Sequence, residues 1–64
     1  MKRTKFIKYL NQNNCGFVKH GGRHDKYINH NNGKKSVIPR HSEIDEYLCE
    51  LICKQLDIPV PNKK

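Results

Sequence analysis

Apolar residues return along this chain in two rhythms. Phe6, Ile7 and Leu10 fall at helical spacing after Thr4, with Lys5, Lys8 and Asn11 to Asn13 on the other side. The opening segment therefore predicts a short amphipathic helix with Thr4 as its cap. Asn13-Asn14-Cys15-Gly16 predicts the stop, Gly16 taking the left-handed conformation that closes a helix. The rhythm then shortens. Phe17 to His20 predicts a strand, Gly21-Gly22 a tight turn, and His24 to Asn29 a second strand with Tyr27 and Ile28 as its strand formers. Asn31-Asn32-Gly33 predicts the next turn, and Lys35 to Ile38 a third strand that Pro39 stops. Helical spacing returns at Ile44, Tyr47, Leu48, Leu51, Ile52 and Leu56. Ser42 is the expected N-cap of this last helix. Glu43, Asp45 and Glu46 occupy its first turn, where the helix dipole favours acids, and Asp57-Ile58-Pro59 ends it.

The order helix, three strands, helix places the chain in the α+β class. A three-stranded antiparallel meander this small needs one face covered, which two amphipathic helices can do, leaving the other face to solvent or ligand. All 64 residues form one domain, with residues 58–64 expected as a polar tail with no core to join. A chain of this length buries about 60% of its unfolded surface, so any site must be shallow and built from few residues.

Charge sharpens this picture. Thirteen Lys and Arg face six Asp and Glu, a net +7, and the excess is uneven. Residues 1–40 hold ten bases and one acid, Asp25, while 41–64 hold three bases and five acids. Lys19, Arg23, Lys26, Lys34 and Lys35 all lie on or beside the expected sheet, whose open face should attract a polyanion such as nucleic acid.

Three cysteines, Cys15, Cys49 and Cys53, are an odd number for a disulfide scaffold. No apolar run is long enough for a signal peptide or membrane span, so a cytoplasmic chain with free thiols is expected. Cys49 and Cys53 lie four apart on the last helix, flanking the apolar stripe. Without a second ligand pair in zinc-finger spacing they read as small, partly buried apolar residues, not zinc ligands.

Imidazole suits proton transfer at neutral pH, and the chain has four: His20, His24, His30 and His41. His20 and His30 read as surface residues without a task. His24 differs because it follows Gly21-Gly22-Arg23 and precedes Asp25-Lys26. Glycines let a phosphate approach closely, and the flanking cations supply electrostatic stabilisation. That combination suits RNA cleavage; the plainer alternative is a turn histidine. Asp25 either orients His24 or pairs with Lys26, the second being the simpler reading. His41, between Arg40 and the expected helix N-terminus, either holds a phosphate there or is a turn residue.

Three runs together resemble the HicA-type toxins, also called the YcfA-like family. They are Gly21-Gly22-Arg23-His24-Asp25-Lys26-Tyr27, Val37-Ile38-Pro39-Arg40-His41-Ser42-Glu43-Ile44, and Leu48 to Ile58. The resemblance covers about residues 3–58 and departs at Glu46-Tyr47, where many members have Gly-Thr. It implies a fold similar to a double-stranded-RNA-binding domain and an mRNA interferase activity that needs no metal or other cofactor. It also implies a HicB-type antitoxin as partner, the toxin being a monomer when free and a hetero-oligomer with the antitoxin, with no membrane contact. The family's catalytic histidine falls on His24. The expected RNA-binding set is Lys19, Gly22, Arg23, Lys26, Lys34, Lys35 and Arg40, with His41, Tyr27 and Lys26 as candidates to assist His24. The alternative is a non-catalytic RNA-binding domain that reads helical RNA by shape on the same basic face.

Overall fold

A computed structural model describes residues 1–61. Its elements are α1 (Arg3–Gln12), β1 (Cys15–His20), β2 (His24–Asn29), β3 (Lys35–Pro39) and α2 (Glu46–Leu56). The strands form one antiparallel sheet in the order β1-β2-β3, so the α+β meander expected from the pattern is the observed fold.

Register sets the two faces of the sheet. His24 lies opposite Pro39, Asp25 opposite Ile38, Lys26 opposite Val37 and Ile28 opposite Lys35. On the other side Lys26 lies opposite Lys19 and Ile28 opposite Gly16, with an irregularity between Phe17 and Lys19. Side chains alternate along a strand. Asp25, Tyr27 and Asn29 therefore point to one face, and their burial shows that this is the covered one. Lys19, His24, Lys26, Ile28, Lys35 and Val37 share the open face. α1 and α2 both lie on the covered face, against β1 and β3 respectively. Phe6 and Leu10 from α1 meet Tyr27 and Ile38 from the sheet, together with Ile44, Cys49, Ile52, Cys53 and Leu56.

Both helix starts differ from the sequence expectation. Thr4 lies within α1, whose N-cap is Lys2 and has no side-chain cap bond. The backbone of another segment replaces the cap: Lys2 bridges Glu43, and the Arg3 N–H donates to the Ser42 carbonyl at 2.9 Å. With its carbonyl used there, Ser42 does not cap α2: the N-cap is Asp45, three residues later, with no side-chain cap bond, and the helix starts at Glu46. Ile44 is buried in the segment that leads into the helix.

The end of α1 and the face of α2 are also corrected. Asn14, at φ 64°, takes the left-handed conformation, while Gly16 pairs within β1. A Cβ at Gly16 would meet His30 Nε2 at 2.9 Å, so the glycine makes room for that imidazole. On α2, Cys49 and Cys53 lie at the centre of the buried face, and Tyr47 and Leu51 are exposed. The thiols are fully buried among apolar neighbours, and burial pushes Cys53 up to about 11.

The C-terminal side of the core uses polar anchors. Asn29 is buried and its side-chain amide donates to the Leu56 carbonyl at 2.8 Å. Asn32 donates to the same carbonyl, and Gly33 takes φ 77° in the expected turn. Asp57, also left-handed, ends α2, and the Ile58 N–H reaches back to the Cys53 carbonyl, the bonding of a Schellman cap. Ile58 and Val60 pack on the core, and Tyr9 donates to the Pro59 carbonyl. The expected tail thus joins the core through residue 60; residues 62–64 lie outside the described residues.

Candidate active site groove

The groove lies at one end of the sheet, between two connections. The Gly21-Gly22-Arg23 loop joins β1 to β2, and Arg40-His41 continues past the end of β3. Because His24 opposes Pro39, the register brings these segments side by side. The result is a shallow groove of about 370 Å³ lined by Arg23, His24, Arg40 and His41. Two histidines and two arginines line it.

The acid behind the groove explains how it is held. Asp25 follows His24, so alternation turns its carboxylate away, into the covered side. There it accepts from Arg3 Nη2 at 2.7 Å and from Arg40 Nε at 2.9 Å, and lies 2.7 Å from His20 Nδ1. The His20 contact first, then Arg40, holds the Asp25 carboxyl below the usual carboxylate range, against desolvation. An ionised carboxylate can only accept, so this contact places the proton of His20 on Nδ1. Arg40 Nη2 also donates to the Gly21 carbonyl at 2.9 Å, and Arg3 Nε to the Pro39 carbonyl at 2.8 Å. One buried carboxylate thereby ties α1, the β1–β2 loop and the end of β3 together. The Gly21 N–H closes the loop on the His24 carbonyl at 2.7 Å.

This arrangement corrects two expectations and adds two residues. Asp25 pairs with neither His24 nor Lys26. His20, expected to have no task, and Arg3, not singled out, position the groove through Asp25. The signal available in the sequence was the lone acid in a basic half of the chain: placed on the covered face of a strand, it must find cationic partners.

The expected RNA contacts divide into groups. Arg23 and Arg40 join His24 in the groove. Lys19 and Lys26 are cross-strand neighbours on the open face beside it. Gly22 lies in the exposed loop, where even a Cβ would meet nothing within 4 Å. Lys34 and Lys35 sit at the other end of the strands. Lys35 opposes Ile28, four residues from His24 or about 13 Å along the strand, and Lys34 lies 3.9 Å from Asp57. They are not part of the groove.

The candidates to assist His24 separate as well. Tyr27 points into the core, where burial raises its phenol. Lys26 lies two residues along the open face. His41 shares the groove. It is not at a helix N-terminus, since α2 begins only at Glu46. Glu46, in the pair that departs from the common pattern, instead accepts from the Met1 ammonium at 3.3 Å, and Tyr47 is exposed.

Among the described residues, no group of three or more His, Cys, Asp or Glu is arranged to hold a metal ion, and no helix is long and apolar enough to cross a membrane. The chain matches the family model described as HicA toxin of bacterial toxin-antitoxin over residues 3–58. No curated protein and no solved structure gives a significant match.

Proposed function

The chain belongs to the HicA toxin family, the toxin side of a toxin–antitoxin pair, and from that premise we propose that it is an endoribonuclease that cuts mRNA and so stops translation, with His24 as its catalytic histidine. The observation that carries this reading is the groove itself, which His24 lines together with Arg23 and Arg40. Cleavage requires the 2′-hydroxyl to lose a proton as it attacks the adjacent phosphate. His24 moves a proton, and Arg23, with the edge of Arg40 left over from its bonds to Asp25 and Gly21, stabilises the charge that builds on the phosphoryl oxygens. In this reading no metal is needed.

Lys19 and Lys26 extend the positive charge along the open face, and Gly22 lies in the exposed loop beside the groove. Lys35 contributes at the far end of that face, with Lys34 beside it. A single strand laid across this face would meet cations first and the imidazole at the sheet's end. The family implies a cognate antitoxin; a HicB-type partner would silence the free monomer in the cytoplasm by covering the groove and this face.

The test is incubation of purified protein with labelled single-stranded RNA, with and without EDTA, beside His24→Ala. The expected result is cutting by wild type in both conditions, loss of cutting in the variant, and 2′,3′-cyclic phosphate ends. If wild type and variant bind RNA equally and neither cuts it, the non-catalytic RNA-binding domain becomes the better description.

A further inference from the structure

The groove beside His24 contains a second imidazole, and we propose that His41 is the other acid–base group of cleavage, so that His24 and His41 divide its two proton transfers. This rests on the ribonuclease reading and adds a catalytic residue to it. In cleavage by the 2′-hydroxyl, the O2′–H bond breaks as O2′ bonds to phosphorus. The bond from phosphorus to O5′ breaks as O5′ gains a proton. One group takes a proton and another gives one, and the products are a 2′,3′-cyclic phosphate and a 5′-hydroxyl. In an in-line displacement the entering and leaving oxygens stand on opposite sides of phosphorus. Two imidazoles, one neutral and one protonated, serve both sides at once, which one imidazole cannot.

The geometry supplies such a pair. His24 opens β2 and His41 follows β3 by two residues, and both line the groove with Arg23 and Arg40. No side chain among the described residues hydrogen-bonds to either imidazole, whereas His20 is committed to Asp25. Both therefore keep their ring nitrogens for substrate. The other titratable groups are placed elsewhere. His30 lies against Gly16 near the far end of β2, Tyr27 is in the core, and Asp25 is behind the sheet, bonded to Arg3, Arg40 and His20. His41 is exposed and makes no part of the core, so replacing it should leave the fold intact.

The test compares wild type, His24→Ala, His41→Ala and His41→Gln on two RNAs: an ordinary one, and one whose scissile 5′-oxygen is replaced by sulfur. A thiolate leaves without needing a proton, so the variant that lacks the general acid should recover on the sulfur substrate while the variant that lacks the base should not. The expected result is that both His41 variants unfold at the wild-type temperature, bind RNA like wild type, and cut ordinary RNA about a hundredfold or more slower. Recovery on the sulfur substrate should then follow in the variants of one histidine only. His41 variants that cut ordinary RNA within about threefold of wild type, or equal losses on both substrates for both histidines, would overturn the proposal. If wild type cuts neither RNA, it is the ribonuclease reading that falls.

Discussion

The two faces of β2 carry similar chemistry put to opposite uses. Asp25 and Asn29, on the covered face, are polar, buried and fully bonded: Asp25 to Arg3, Arg40 and His20, and Asn29 to the Leu56 carbonyl and the Asn31 N–H. His24 and Lys26, on the open face, take no part in such a network and point to solvent. A buried polar group must be satisfied within the protein, because leaving it unpaired costs its full desolvation. Once satisfied, it is fixed in place. An exposed imidazole is satisfied by water and can exchange that water for substrate. The same strand thus anchors the fold with one set of side chains and offers chemistry with the other, and the anchor at Asp25 holds the groove that His24 lines.

The strongest way to break this comparison is at adjacent residues of β3. Ile38→Ala, on the covered face, should cost about 3 kcal/mol by leaving a cavity in the core. Val37→Ala, its open-face neighbour, should cost well under ~1 kcal/mol. Urea unfolding of both variants checks this, and equal losses would mean that the open face is packed against something in the free protein.

Acid probes the anchor itself. The Asp25 carboxyl is held below its usual range in the folded state, so the stability it contributes is fully present above the unfolded value of about 3.9. That contribution is lost as pH falls from there through the lower folded value. Asp25→Asn should therefore lower the urea midpoint more at pH 7 than at pH 3. A uniform loss at both would show that the site is held by shape and not by charge.

The smallest effect sharpens the other side. Lys19→Gln with Lys26→Gln should leave unfolding almost unchanged and reduce the salt dependence of single-stranded RNA binding by about 1.4 in logarithmic slope, the share of two phosphate contacts. An unchanged slope would place the RNA elsewhere than on the open face.

Much of this was legible in the sequence because it depends on local periodicity. The bounds of β2, the turn at Gly33 and the existence of both helices follow from spacing and turn chemistry over a few residues. The face of α2 was less legible. Tyr47 and Leu51 look more apolar than Cys49 and Cys53, yet the small thiols are what fits against the sheet. The helix starts misled because Thr4 and Ser42 are good caps in isolation, while the backbone pairing of residues 2–3 with 42–43 supplies a tertiary substitute.

By itself, then, the sequence determined the order of elements, the concentration of positive charge in residues 1–40, and the family resemblance that points to His24. Each is a property of neighbours in the chain. Tertiary structure alone decided that Arg3, His20 and Arg40 converge on Asp25, that Lys34 and Lys35 stand apart from the groove, and that His41 enters it. The residues that converge on Asp25 are separated by up to 37 positions, and only the register of the sheet and the packing of α1 across it bring them within reach of one another.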